Sequence, residues 1–543
     1  MVIPPIEGAE RGERDGGDTR ASPPQAVAPP AADAQAGMTE PRNMLRFIDG
    51  DVLRELSGFD PTLTILDWLR LGERRMGTKE GCAEGDCGAC TVVVGRLVGR
   101  RVEYRAINAC IAPLASLDGR RLITVEDVKA RGNLHPVQQA MVERHGSQCG
   151  FCTPGIVMSL FALWLNENEA SEERIEDALA GNLCRCTGYV PIIAAGREMF
   201  EKGGAAKEAW TARSPDIVER LALLQDERRL EIVKGTRRFV APAALDDFAK
   251  FYARHPDATI LAGATDVGLW ITKEMRLLDT VLHPGRITAL EAVVEEEHAF
   301  VFGAMTSLAD AAKPLGQMHP HLGELFRRFG GEQIRNAGTL GGNVANGSPI
   351  GDLPPALIAL GATVTLRRED RRRELPLEKF FIAYRRQDRH PGEFVESVRV
   401  PKLGATSLFH ASKVSKRFDE DISAVCAAFR LTLDANGHVT EARLAYGGMA
   451  ATPKRATLAE GSLLGKAWNE LAAEEAALAL ERDFEPIDDW RASARYRMRC
   501  AQNLLQRFAV ESCEAETQTR VAGPLARHHV RSARAEASFS GGL

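Results

Sequence analysis

The sequence predicts a multidomain α+β chain, on three observations. Residues 44–122 carry short apolar runs separated by Gly and Asp-Gly turns, the pattern of strands and hairpins. From about 123 to 205 the apolar residues take a helical period, as in Ile156, Leu160 and Trp164. From Leu230 onward, strand-like and helix-like runs alternate around two glycine-rich loops. A chain of 543 residues has room for about three to four such domains.

Composition narrows the class of function. The chain is 44% hydrophobic and 26% charged, as globular proteins are. A net charge of −5 gives no electrostatic reason to bind nucleic acid or an acidic membrane. There is no basic–apolar–small leader pattern and no apolar run of about twenty residues, so no membrane association is expected. Eight of the eleven cysteines lie between Cys82 and Cys186, where disulfides would be spread to staple loops. A reducing cytoplasm is the expected location.

Residues 1–43 include the Pro/Ala-rich ASPPQAVAPPAADAQAG and are predicted to be a disordered tail without chemistry. The folded pattern opens with MLRFIDG and DVLREL, a hairpin around Asp49-Gly50. Asp60-Pro61 then opens a predicted helix, TLTILDWLRLG, which Gly72 stops. After GCAEGDCGAC come two strand-like runs that end at Cys110. This order describes a β-grasp unit over 44–122.

Within that unit, Cys82, Cys87 and Cys90 form a C-x4-C-x2-C run, and nineteen residues separate Cys90 from Cys110. The intervening glycines let the backbone curl and present several sulfurs to one small object. Four thiolates suit zinc or an iron–sulfur cluster. The spacing favours a plant-ferredoxin [2Fe–2S] cluster, because zinc sites mostly pair two C-x2-C knuckles.

The helical unit, 123–205, holds a second set. Cys149 and Cys152 precede Thr153-Pro154, a predicted N-cap and first helical residue. A helix is predicted from Ser171, with Glu172 and Glu173 in its first turn, and it leads to Cys184 and Cys186 in GNLCRCTGY. A C-x-C pair is cramped for a tetrahedral zinc chelate, so a second [2Fe–2S] cluster is the expectation. Residues 206–228 read as a polar linker.

The loop LAGATDVGL, 261–269, follows a strand and lacks the Lys-Ser/Thr of a triphosphate-binding loop. Its free amides could still cradle a diphosphate, and the alternative is a tight structural turn. The second glycine loop is IRNAGTLGGNVANGSPIGDLPP, 334–355. From 406 to 512, strands flank the Asn436-Gly437 turn and helical runs follow over 457–482 and 490–509. Residues 513–543 read as a second disordered tail. Cys426, Cys500 and Cys513 read as buried or incidental thiols, RREDRRRE at 367–374 as a solvated hairpin end, and His319-Pro320-His321 as structural, with only Glu324 nearby.

EGCAEGDCGACTV, INAC, QCGFCTPG and GNLCRCTGY, in that order, resemble the two-cluster region of the molybdenum hydroxylases, the xanthine dehydrogenase family. All eight cysteines match that family's ligand positions. The resemblance implies a β-grasp [2Fe–2S] ferredoxin domain, an all-α four-helix [2Fe–2S] domain, a vanillyl-alcohol-oxidase/PCMH-type FAD domain over 229–402 and an α+β flavoprotein C-terminal domain. It implies that Leu261, Ala262, Gly263, Ala264, Thr265, Asp266, Val267 and Gly268 wrap the FAD diphosphate and that Phe329 packs near the flavin. Thr339, Leu340, Gly341, Gly342 and Asn343 would form a second phosphate loop, with Asp352 further along the cofactor and Lys413 on the flavin. Asp421 would lie near a nicotinamide site.

The same resemblance implies an iron–sulfur/FAD subunit with no catalytic residue of its own. A molybdopterin-binding large subunit would oxidise a purine, and electrons would cross both clusters to FAD and then NAD, in a heterotetramer of two small and two large subunits. Two alternatives stand beside it. One is the same architecture serving an aldehyde or another N-heterocycle, and the other is a cysteine-rich zinc scaffold or redox sensor.

Overall fold

The computed structural model describes residues 40–129, 132–514, 517 and 519. Most of both predicted tails therefore lies outside the described residues. Residues 41–43 already belong to the fold: Arg42 is 6% exposed and forms ion pairs with Asp118 at 2.7 Å and Asp226 at 3.1 Å.

The first domain is a five-stranded sheet in the spatial order Val52–Leu56, Leu45–Asp49, Arg121–Ile123, Thr91–Val98, Arg101–Asn108. The first hairpin turns at Gly50, whose φ of +59° is the left-handed conformation that Gly supplies without a Cβ penalty. Leu45–Asp49 pairs in parallel with Arg121–Ile123, which closes the β-grasp. The helix expected from Asp60 starts instead at Ile65, because the Asp60 carboxylate is occupied by Thr62 N at 3.0 Å in a local turn. Thr64 caps the helix by accepting from Asp67 N at 3.0 Å.

Four helices form the core of the second domain: Pro136–Glu143, Thr153–Asn166, Glu172–Leu179 and Val190–Glu201. Gly155 to Trp164 are buried without a break, so the second helix is the centre of this bundle. Cys152 is its N-cap, which places Thr153 and Pro154 one position further into the helix than expected. Ser171 caps the third helix as the sequence predicts, accepting from Arg174 N at 3.2 Å.

The expected linker contains a helix, Gly204–Leu224. Ile217, Leu221 and Leu224 recur at helical spacing and bury against Ile48, with Leu97 and Val102 at the margin. Trp210 meets Tyr104 and Phe161 edge-on, at 5.8 and 5.3 Å, and so joins the first two domains. Its many charges made the segment read as connector; the sparse apolar stripe is what seats it.

Two larger sheets build the third domain, beside a two-stranded one of Phe381–Ala383 and Arg386–Gln387. One runs Leu230–Lys234, Arg237–Ala241, Thr280–Leu282, Thr259–Ile260; the other runs Val293–Glu295, Ala299–Gly303, Phe394–Pro401, Thr363–Arg368, Arg371–Pro376. The last domain is a four-stranded sheet, Ser407–Val414, Val425–Leu433, Val439–Gly447, Lys454–Arg455, covered by Thr457–Leu463, Glu470–Asp483 and Ala494–Cys513. The helix predicted over 457–482 breaks in two, with Gly465 at φ +75° in the gap. In the basic run, Arg367 is not solvated: it is buried and pairs with Asp246 and, at 3.1 Å, Glu396. Among the described residues no helix is long and apolar enough to cross a membrane.

Candidate iron–sulfur and flavin sites

The loop from Cys82 to Cys90 curls through left-handed residues at Ala83, Gly85 and Gly88. Cys82 and Cys87 are half-buried, and Cys90 and Cys110 are buried. Cys82 Sγ accepts from Cys87 N at 3.3 Å. Cys110 and then Cys87 hold the Cys82 thiol far below the usual range by hydrogen bonding. The same contacts push the partners up, Cys87 through Cys82 and Cys110 through Cys82 and Cys90. The four sulfurs thus form a chain of neighbours, Cys87–Cys82–Cys110–Cys90.

In the helical domain the sulfurs are neighbours in two pairs, Cys149 with Cys186 and Cys152 with Cys184. Burial, then Cys184, pushes the Cys152 thiol up to about 12. Cys184 Sγ lies 3.3 Å from Thr187 Oγ1, and its amide donates to Tyr189 Oη at 2.7 Å. Cys149 and Cys186 are exposed.

A [2Fe–2S] cluster takes two thiolates at each of two irons, and the two pairs Cys149/Cys186 and Cys152/Cys184 have the donor number and pairing it needs.

The two sites are joined by backbone. Leu183 N donates to Cys87 O at 3.0 Å, and Asn182 Nδ2 donates to Gly88 O at 3.1 Å. A side-chain carbon at Gly88 would collide with Gly181 O, and one at Gly155 with Gly88 O. On its other flank the first loop meets the third domain, where Thr272 Oγ1 donates to Ala83 O at 2.8 Å.

A cleft of ≈ 730 Å³ opens in the third domain, between the two glycine loops. Leu261 N bonds Leu282 O and Gly268 N bonds Ala264 O; between them, the six amides of Ala262–Val267 find no acceptor among the described residues. Unpaired amides in one turn, with Ala264 at φ +62°, form a cradle for anionic oxygen. A side chain at Gly263 would strike Ala337 O, so glycine lets the loop close on the second one. In that second loop the amides of Leu340 and Gly341 donate to Thr306 O and Ala304 O, and those of Gly342 and Asn343 to Thr339. Asn343 Oδ1 is buried without a partner and lines the cleft. The residues therefore fit a dinucleotide, whose diphosphate the amides of Ala262–Val267 would hold. Asp266 is exposed to the cleft, and desolvation between its walls pushes the carboxyl up, opposed by Asn346 Nδ2 at 3.1 Å.

Of the residues expected at FAD, Ala262 to Val267, Phe329, Thr339 and Gly341 to Asn343 line the cleft. Leu261 and Leu340 are in the core beneath it, and Gly268 packs on Ile111. Asp352 and Lys413 are buried together as an ion pair at 2.5 Å and are not in the cleft wall. Asp421 accepts from Arg417 N at 2.7 Å and lies outside the wall as well. The wall also contains Trp270, Arg276, Tyr384 and Arg389, which sequence reasoning did not assign. YRRQDRH carried a signal for two of them, as a conspicuously basic aromatic loop.

The fold gathers His321, His410 and Glu511 within 4.8 Å, whereas only His319, His321 and Glu324 were adjacent in sequence. His321 Nδ1 accepts from Ala411 N at 3.3 Å, and His410 Nδ1 lies 3.0 Å from Glu511 Oε2.

Two four-thiol sets beside an anion-cradling cleft have the donor chemistry of an iron–sulfur flavoprotein. Family comparison agrees: residues 124–197 match the [2Fe-2S] binding domain, 233–403 the FAD binding domain in molybdopterin dehydrogenase, and 410–512 the CO dehydrogenase flavoprotein C-terminal domain. Xanthine dehydrogenase of Emericella nidulans is 34% identical over 518 residues, covering 85% of this chain and 38% of that protein. Rat xanthine dehydrogenase/oxidase is 31% identical over 491 residues, with 82% and 37% covered. Aldehyde oxidase 2 of Macaca fascicularis is 31% identical over 490 residues, with 80% and 36% covered. Among solved structures, carbon monoxide dehydrogenase of Hydrogenophaga pseudoflava aligns with TM-score 0.48 and 28% identity, over 53% of this chain and 100% of that one. The chain belongs to the molybdenum hydroxylase family and carries its iron–sulfur and FAD domains. It spans about 38% of the length of the xanthine dehydrogenase it matches.

Proposed function

We propose that this chain is the electron-transfer part of a xanthine dehydrogenase, its iron–sulfur/FAD small subunit. The observation that carries the reading is the physical order of the three sites. The open Cys149/Cys152/Cys184/Cys186 set abuts the enclosed Cys82/Cys87/Cys90/Cys110 set through Leu183 and Cys87, and the enclosed set abuts the flavin domain through Ala83 and Thr272. A flavin exchanges electrons singly or in pairs, and can therefore join one-electron clusters to a hydride acceptor such as NAD.

The chain's own part is to hold these groups. Four thiolates would ligate each cluster, the Ala262–Val267 amides would hold the FAD diphosphate, and the glycines of the domain junction bring the backbones between the sites into direct contact. In this reading a molybdopterin-binding large subunit oxidises hypoxanthine or xanthine, docks over the exposed Cys149 and Cys186, and forms a heterotetramer of two small and two large subunits. The location is the cytoplasm. Identity to the two xanthine dehydrogenases supports purine as the substrate class; comparable identity to an aldehyde oxidase supports a second reading, an aldehyde or N-heterocycle at the partner.

Co-purification with the partner, followed by assay with xanthine and NAD, separates these readings. NADH formation from xanthine supports the first. Turnover of an aldehyde or another heterocycle, with none of xanthine, supports the second.

A further inference from the structure

We propose that Gln333, which belongs to the flavin domain, is a positioning residue for electron passage between the two cluster sites. Gln333 lies in the helix Glu332–Ala337 and is 1% exposed. Its Nε2 is 3.1 Å from Thr91 Oγ1, 3.0 Å from Ser159 Oγ and 3.0 Å from Asn182 Oδ1. Thr91 is in the ferredoxin domain, and Ser159 and Asn182 are in the helical domain. One side-chain amide therefore ties three domains together at a single buried point.

The hydrogens can be assigned. Thr91 Oγ1 donates to Gly88 O at 2.6 Å, and Ser159 Oγ donates to Asn182 Oδ1 at 2.6 Å. Both hydroxyls have then spent their only hydrogen and can only accept, so the two Nε2 hydrogens of Gln333 go to them. Asn182 Nδ2 supplies a second donor to Gly88 O, at 3.1 Å. The carbonyl fixed this way follows Cys87, and Asn182 precedes Leu183 and Cys184. The contact beside it, Leu183 N–H to Cys87 O at 3.0 Å, is a hydrogen bond between the two ligand-bearing segments.

There is no slack around this point. A side-chain carbon on Gly88 would meet Gly181 O, on Gly155 Gly88 O, on Gly181 Gln333 Oε1, and on Gly331 Gly181 Cα. The glycines of GDCGAC, CTPG, GNLC and FGGEQ thus bring three backbones into direct contact, and Gln333 sets their register. The step served moves one electron from a reduced cluster on the Cys149/Cys152/Cys184/Cys186 thiolates to an oxidised one on the Cys82/Cys87/Cys90/Cys110 thiolates, with no proton or atom transferred. The inference rests on the electron-transfer reading above.

The test uses the full cofactor-loaded chain and two variants. Gln333→Met keeps the side-chain length and removes both N–H groups, and Ser159→Ala removes one acceptor. Iron, sulfide and flavin counts come first: a wild-type chain without two clusters defeats the functional reading, not this inference. EPR of the fully reduced protein then reads the magnetic interaction between the clusters. The expected result is a narrowed or lost spin–spin splitting in Gln333→Met at full iron content, with a smaller change of the same sign in Ser159→Ala. A loaded Gln333→Met that melts lower but keeps the wild-type splitting overturns the inference. If Gln333→Met does not load, loaded Ser159→Ala decides: a narrowed splitting supports the inference, and a wild-type splitting overturns it.

Discussion

In the ferredoxin domain Cys90 and Cys110 are 1% and 3% exposed, whereas in the helical domain Cys149 and Cys186 stand in solvent. Both sets offer four thiols, yet one is walled in by two other domains and the other is open on one side. The matching glycines show the same contrast. Gly88, inside the first cysteine run, has φ +67° and contacts Gly181; Gly150, inside the second, has φ +82° and faces open space where a side chain would stand. An enclosed site suits relay between fixed neighbours, and an open one suits exchange with a docking partner.

The largest expected effect comes from removing one thiol from each set. Cys90→Ala leaves a buried hole and deletes the metal that helps fold its loop, for a cost of about 3 kcal/mol or more. Cys149→Ala loses the irons of its own set as well but, because the residue is exposed, leaves no buried hole and lowers the melting temperature less. Iron content and thermal melting check both; equal destabilisation would erase the distinction between the sites.

A smaller difference is expected for the glycines. Gly150→Ala carries only the left-handed backbone cost of about 1–2 kcal/mol. Gly88→Ala adds overpacking against Gly181, for a total of about 3 kcal/mol, and perturbs both clusters in EPR. Denaturant unfolding separates the two values.

A pH effect should appear beside the enclosed site. Burial, then the neighbouring Asp86 charge, raises the Glu420 carboxyl from its ordinary 4.5 to about 8. Between those values the folded chain holds a proton that the unfolded chain has released, so stability falls as pH rises through that window. Glu420→Gln should flatten this slope; an unchanged slope in denaturant melts from pH 5 to about 8 would contradict the assignment. The smallest perturbation leaves the sequence intact: a soluble iron chelator should take iron first from the open site, seen as earlier loss of one of the two EPR signals.

How far these features were legible in the sequence follows the range of the contacts. The cysteine spacings, the Asp49-Gly50 and Asn436-Gly437 turns and the Ser171 cap are local chemistry, and the structure keeps the two turns and the cap. The helix over 204–224 was hidden because only Ile217, Leu221 and Leu224 carry its buried stripe among many charges. Lys413 and Asp352 were each expected at the cofactor, and their burial against one another depends on a contact across 61 residues. The Gln333–Thr91 bond spans 242 residues, and no local pattern announces it.

The measurement that bears most directly on the two-site account is iron, acid-labile sulfide and flavin per chain, with EPR on reduction. The account predicts about four iron, about four sulfide and one FAD per chain, with two distinct [2Fe–2S] signals. Folded protein with stoichiometric zinc and no flavin would contradict it.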